Sequence, residues 1–212
     1  MQGILITGGQ RPEYSRISHL LTESCYIVAA DSGLDFCLTN DIRPDFILGD
    51  MDSLSSRDLL NQFNTDMIEE HSEEKDFTDT ELGVMHLQSR GCSPVIVIGG
   101  GGGRLDHLLA ITVLFDRPNP PDLWITHREE VQYIEDGLKS SGKVNEVISF
   151  FPAGTQCCSM HSTGLKWPLD MLHWKKGDAG ISNRLVETEF SIVMKSGHLI
   201  MIREIQEALG NH

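Results

Sequence analysis

The chain has 212 residues, with 17 Lys and Arg against 31 Asp and Glu, a formal net charge of −14 at pH 7. With 40% hydrophobic residues it carries enough apolar material for a packed core, which excludes wholesale disorder. The acidic balance argues against non-specific binding to nucleic acid or to an anionic membrane surface, since both need Lys and Arg against phosphate. No apolar run approaches the roughly 18–20 residues that span a bilayer. The opening MQGILITGG lacks the basic start and long apolar stretch of a signal peptide. The five cysteines, with Cys157 and Cys158 adjacent and no CxxC spacing, argue against a disulfide framework or a zinc site and for a reduced, cytoplasmic setting.

The first half reads as alternating strand and helix. Gly3-Ile4-Leu5-Ile6-Thr7 is an apolar run closed by Gly8-Gly9, as expected of a buried strand. Ile17, Leu20 and Leu21 sit at helical spacing within 15–21. A second strand over 26–30 ends at Asp31-Ser32-Gly33, a short helix is expected over 34–38, and a third strand over 46–48 ends at Gly49-Asp50. Thr78 and Glu81 have capping-box spacing and should open a helix running to Gln88, with Gly91 just past its end. Val95–Ile98 is a β-branched strand followed by five glycines, 99–103, and then a helix carrying Leu108, Leu109, Ile111, Leu114 and Phe115. Continuous apolar runs alternating with helices imply a parallel sheet covered on both faces.

The breaker segment 116–121 changes the texture. Leu123–Thr126 can still join the first sheet, whereas 131–134, 147–151, 156–160, 190–194 and 199–202 are short strand-like pieces separated by turns, as in a small all-β domain. This places an α/β domain at 1–128 and a β domain at 129–212, with the boundary good to about ten residues.

The chemistry gathers at strand ends. Asp31, Asp50, Asp52 and the glycine run all follow predicted strands, Asp76 and Asp79 flank the start of the capped helix, and Asp106 opens the next. In open α/β sheets ligands bind at the carboxyl ends of the strands. Two carboxylates about 4 Å apart repel by roughly 4 kcal/mol at an effective dielectric of 20, so a cluster of them needs a counter-charge. Oxygen donors without His or Cys suit Mg²⁺, which takes one or two carboxylates and completes its shell with water and substrate phosphates. A phosphorylated co-substrate follows. Glycines between a strand and a helix let backbone N–H groups approach an anion, and Arg104 adds a charged fork.

Taken singly these residues have plainer roles: an Asx turn for Asp50 and Asp52, helix-start acids for Asp76 and Asp79, an N-cap neighbourhood for Asp106. Their joint placement favours a site. Gly137 to Lys143 matches GxxxxGK, but Val144 stands where Mg²⁺ binding needs Ser or Thr, and the segment reads as a hairpin loop. No GxGxxG occurs in the glycine run, and the histidines form no dense ligand pattern; His107 alone is near the expected site. In the second half, Trp167 could stack on a flat heterocycle and Ser182 and Asn183 could read ring nitrogens, although a core Trp and a Ser-Asn turn are the plainer account.

The motifs GDMDSL (49–54), KDFTDTE (75–81), GGGGGRLDH (99–107), GLKWPL (164–169) and GISN (180–183) resemble, in order, those of the thiamine pyrophosphokinase family. ADSGLD (30–35) looks like that family's ADGGA, with Ser32 where Gly is common. The resemblance implies a Rossmann-like α/β catalytic domain followed by a β-sandwich, a homodimer with its active site at the subunit interface, and Mg²⁺-dependent transfer of a pyrophosphoryl group from ATP to the hydroxyl of thiamine. By motif match Asp50, Asp52, Asp76, Asp79 and Asp106 fall on the acidic ATP–Mg²⁺ site, the first four as metal ligands. Asp31, Gly100, Gly101, Gly102, Gly103, Arg104 and His107 are the residues expected to hold ATP. Trp167 falls on the thiamine-stacking position, and Ser182 and Asn183 on the thiamine pocket completed by the other subunit. Two rival readings are a Mg²⁺-dependent nucleotide phosphohydrolase on the same scaffold and a thiamine sensor without catalysis. AMP release that needs no acceptor would mark the first, and thiamine binding without thiamine diphosphate formation the second.

Overall fold

The computed structural model describes residues 1–72 and 74–206. The chain divides into two compact units, one made of Met1–Leu114 and Leu123–Arg128 with Gln206, the other of Phe115–Asp122 and Glu129–Ile205. The breaker segment thus groups with the second unit, and residues 207–212 of the expected β domain lie outside the described residues.

The first unit contains β1 (Gly3–Ile6), α1 (Tyr14–Ile17), β2 (Tyr26–Ala30), α2 (Gly33–Thr39), β3 (Phe46–Gly49), β4 (Ile68–Glu70), α3 (Asp79–Ser89), β5 (Val95–Ile98), α4 (Leu105–Thr112) and β6 (Leu123–Ile125). The strands lie in the order β6-β5-β1-β2-β3-β4, every pair parallel. β1, β3 and β5 are buried along their whole length, which is why their sequences are unbroken apolar runs. Sequence order runs outward from β1 through β4 on one side and through β5 and β6 on the other. The connections after β1 and β5 therefore leave in opposite directions and open a crevice at the C-terminal rim, the usual ligand position in such sheets. The capping box forms: Thr78 Oγ1 accepts from Glu81 N at 3.2 Å and Glu81 Oε2 accepts from Thr78 N at 2.7 Å. It fixes the start of α3, and with it the position of Asp79.

The second unit contains β7 (Glu129–Ile134), β8 (Gly137–Ser141), β9 (Val147–Ala153), β10 (Cys158–Thr163), β11 (His173–Trp174), β12 (Gly180–Arg184), β13 (Glu189–Ser196) and β14 (His198–Glu204). They form two antiparallel arrays, β12-β9-β14-β7 and β11-β10-β13-β8. Alternate residues point into one shared core, with Ile148, Phe150, Leu199 and Met201 from one array and Cys158, Met160, Phe190 and Ile192 from the other. This is a sandwich, as expected. Two segments differ from the sequence reading. Gly137–Ser141, read as a hairpin loop, is a strand paired to β13, and Gly180–Arg184, read as a turn, is an edge strand on β9. Both are mostly polar edge strands, β8 with a single apolar residue (Leu138), so the pattern that marks a buried strand is missing.

Replacing Thr78 by Ala should lower stability by about 1 kcal/mol, or roughly 2–4 °C in Tm for a chain of this size. Thermal melts followed by circular dichroism measure it, and an unchanged Tm would show that the cap carries no stability.

Candidate active site

A cleft of about 570 Å³ opens at the C-terminal rim of the parallel sheet. Its walls come from the loop after β1 (Thr7 to Gly9), the loop after β2 (Asp31, Ser32), the loop after β3 (Asp50, Asp52, Ser53), the entry to α3 (Lys75 to Thr80), the glycine run (Gly100, Gly102, Gly103), and α4 (His107, Ala110, Ile111).

The acidic wall is tightly built. Asp31 takes φ 47° and Met51 φ 61°, left-handed conformations that turn the chain sharply after β2 and β3. Gly49 (φ 136°) has no side chain because a Cβ there would land on Asp31 Oδ1. Asp50 Oδ1 accepts from Asp52 N at 3.1 Å, so the Asx turn exists and forms part of the cleft. Thr7 and Thr80 share a hydroxyl hydrogen bond of 2.8 Å that ties β1 to the first turn of α3. The Asp31 carboxyl is pushed up to about 7, first by burial and then by the charges of Asp79 and Asp50. Burial also pushes Asp50 up, but the hydrogen bonds from Asp52 and the charge of Lys75 bring it below the ordinary value overall.

Lys75 is the counter-charge that sequence reasoning passed over. Its Nζ is 2.7 Å from Asp79 Oδ1 and 3.9 Å from Asp50 Oδ2, and the three side chains are only 16%, 16% and 18% exposed. It stands inside the KDFTDTE motif; the signal was a lone cation flanked by acids just before a helix. Thr7, Gly8 and Gly9 were likewise visible as a strand end but not as a cleft wall.

The glycine run is a braced ramp. Gly99 N donates to Ile125 O (2.9 Å), Gly100 N to Gly8 O (2.7 Å) and Gly101 N to Gln10 O (3.1 Å), while Gln10 N and Trp124 Nε1 donate back to Gly101 O and Gly99 O. The first three amides are therefore committed to the protein. Among the described residues, the amides of Gly102 and Gly103 have no hydrogen-bond partner, and both residues have positive φ (62° and 71°). Gly101 is buried and does not line the cleft, whereas Gly100, Gly102, Gly103, Arg104 and His107 do.

Asp106 does not join the acidic wall. Its carboxylate, 61% exposed, pairs with the Arg104 guanidinium (Nη2 to Oδ2 2.5 Å, Nε to Oδ1 3.1 Å), which holds it below the usual carboxylate range. Asp31, expected among the phosphate-binding residues, stands instead with the acids. Asp52 and Asp76 line the cleft and are exposed.

No group of three or more His, Cys, Asp or Glu among the described residues is arranged to hold a metal by itself. The donor chemistry nonetheless fits a hard cation: the cleft offers carboxylate oxygens, and Asp31, raised first by burial, is raised further by the charges of Asp79 and Asp50, which a cation would offset. A site for Mg²⁺ that relies on substrate phosphates needs only one or two of these side chains.

The residues expected to touch thiamine lie in the second unit. Trp167 is 53% exposed, with Lys166 Nζ 4.7 Å from its ring centroid. Asn183 is 5% exposed: Oδ1 accepts from Trp167 N (3.2 Å) and Arg184 N (2.8 Å), and Nδ2 donates to Trp167 O (2.7 Å). It clamps the backbone of Trp167. Ser182 (φ 59°) sits in an irregular stretch of the β12–β9 pairing and is exposed.

The sign of the Asp31 effect can be tested. Its folded value lies above the unfolded one, so the folded protein binds the extra proton between about pH 4 and 7. That contribution to stability is complete at low pH and is lost as the pH rises through about 7. Asp31→Asn, which also tolerates positive φ, should raise Tm relative to the parent by a few degrees more at pH 8 than at pH 5. An equal difference at both pH values would show that Asp31 does not titrate in this window.

The family model described as "Thiamin pyrophosphokinase, catalytic domain" matches residues 17–123, and that described as "Thiamin pyrophosphokinase, vitamin B1 binding domain" matches 137–199. Among curated relatives, thiamine pyrophosphokinase of Bacillus subtilis (strain 168) is 26% identical over 206 residues, covering 94% of this chain and 96% of that protein. Thiamine pyrophosphokinase 2 of Arabidopsis thaliana is 26% identical over 193 residues, covering 81% and 69%. The crystal structure of the Bacillus subtilis enzyme superposes with a TM-score of 0.81 at 22% identity over 97% of this chain and 100% of that one, and the Geobacillus thermodenitrificans structure with 0.76 at 24% over 98% and 99%. The structural likeness shows a shared fold; the two family models, the first alone spanning half the sequence, show more. The chain belongs to the thiamin pyrophosphokinase family.

Proposed function

We propose that the chain transfers a pyrophosphoryl group from ATP to the hydroxyl of thiamine, giving thiamine diphosphate and AMP. The observation that carries this reading is a cleft with carboxylates on one wall and a glycine ramp with two unpaired amides on the other, in a chain of this family.

Asp50, Asp52, Asp76 and Asp79 are the residues that would hold Mg²⁺, through one or two carboxylates at a time. When bound with ATP, the ion neutralises polyphosphate charge and polarises the phosphorus under attack. The Gly102 and Gly103 amides and the Arg104 guanidinium orient the phosphates, with the first turn of α4 behind them. The braced ramp fixes those donors before substrate arrives, so little of the barrier goes into arranging them. Trp167 stacks on the thiamine ring, Asn183 holds Trp167 in place, and Ser182 lies beside them on β12. Holding the alcohol in line with the β-phosphorus supplies much of the acceleration.

The assembly we propose is a homodimer. Exposed apolar side chains on the second unit (Trp167, Met171, Ile181 and Val186) support contact with another copy. We place the protein in the cytoplasm, in keeping with its five free thiols; no helix of the described residues is long and apolar enough to cross a membrane.

Incubated with ATP and Mg²⁺, the protein should release AMP only when thiamine is present, and thiamine diphosphate should form in equal amount. AMP release without thiamine would point to hydrolysis instead. Asp50→Asn should lower turnover by orders of magnitude with an unchanged circular dichroism spectrum; an unchanged rate would remove Asp50 from the site. Trp167→Ala should weaken thiamine use by roughly 1–3 kcal/mol in kcat/KM, leaving the KM for ATP near its original value, and an equal loss for both substrates would assign the ring a structural role.

A further inference from the structure

Lys75 belongs to the stretch 71–78 between β4 and α3, which has no regular secondary structure among its described residues. Its four-carbon stem ends in a compact, rotatable charge. That charge lies against Asp79 and within 4 Å of Asp50, two of the carboxylates that would hold a divalent cation. Other cations nearby also have partners: Arg104 pairs with Asp106, Arg57 with Glu70 and the carbonyl oxygen of Asp50, and Arg11 with the carbonyl oxygens of Thr7 and Ser32.

The distances set up a competition. At 2.7 Å the ammonium occupies Asp79 Oδ1, and a magnesium ion held by that oxygen would sit at about 2.0–2.1 Å from it. Two cations on that oxygen at those separations repel strongly, so coordination through Asp79 Oδ1 is opposed as long as Nζ stays there. An ammonium displaced within the cleft loses its carboxylate partner and is drawn to a new anion. A metal ion arriving alone brings none; a metal ion arriving with a polyphosphate brings several anionic oxygens.

We propose that Lys75 is a movable counter-cation: it pairs with Asp79 and Asp50 while the cleft is without substrate, and passes to a phosphate oxygen of the metal–nucleotide complex when that complex enters. This rests on the nucleotide reading of the cleft given above. It makes the cleft resist metal alone and accept metal and nucleotide together, a coupling of two ligands through one side chain. It also assigns the lysine a role in phosphate positioning that neither its ion pair nor its place before α3 would suggest by itself.

The test uses Mn²⁺ as a probe detectable by electron paramagnetic resonance, titrated first without nucleotide. Lys75→Met should bind Mn²⁺ about tenfold more tightly than the parent, a difference of ~1.4 kcal/mol. A non-hydrolysable ATP analogue should then tighten Mn²⁺ binding in the parent by a larger factor than in Lys75→Met. Unchanged or weaker binding of Mn²⁺ alone by a folded Lys75→Met would overturn the proposal. The unaltered protein gives an independent measurement: amine acetylation mapped by mass spectrometry should rise at Lys75 when Mn²⁺ is added, and fall again when the ATP analogue joins it. Acetylation at Lys75 indifferent to both would also overturn the proposal. Neither measurement involves thiamine, so failure of the unaltered protein to make thiamine diphosphate would count against the proposed activity and not against the exchange of cations.

Discussion

Mutual repulsion among carboxylates is the constraint around which the first unit is arranged. A parallel sheet sends the C-terminal ends of β2 and β3 to one rim, and the start of α3 comes to the same place. Asp31, Asp50 and Asp79 are thereby brought close while partly withdrawn from water. The fold manages this in several ways at once. Lys75 supplies a positive charge, the backbone amides of Met51 and Asp52 point at Asp31 and Asp50, and Asp79 sits in the first turn of α3, where the helix dipole favours a negative group. The left-handed backbone at Asp31 and Met51 is a further cost, and backbone strain of this kind tends to gather at functional sites.

The opposite wall has the complementary construction. Its glycines, read in sequence as a close approach for an anion, are fixed at the first three positions by backbone bonds to β6 and to the loop after β1. What is left over is a short stretch of unpaired donors facing a cleft otherwise rich in acceptors. One wall therefore suits a cation and the other an anion. A metal polyphosphate has both.

Much of this was legible in the residues. Unbroken apolar runs marked the buried strands β1, β3 and β5, and the Thr78–Glu81 spacing marked the start of α3, because both signals depend on neighbours in the chain. The edge strands β8 and β12 were not legible, since a strand with one side open to water has little need of apolar residues. Among the expected site residues, Asp31, Asp50, Asp52, Asp76 and Asp79 meet in one cleft because strand ends converge. Asp106 shares their chemistry but is drawn to Arg104, two positions away, and that preference is settled by side-chain geometry alone. Lys75 was hidden for a related reason: a lysine among acids in sequence is usually a solvated charge, and its part in the cleft depends on Asp50, twenty-five positions earlier in the chain.

The amide of Asn183 is wholly inside the protein, yet it governs where the ring of Trp167 can be. With both the N–H and the carbonyl of Trp167 pinned by one side chain, the loop around the indole has little freedom left to lose when a ligand arrives. Change at position 183 would therefore loosen the stretch that carries the indole, an entropic tax on any molecule that stacks against that ring.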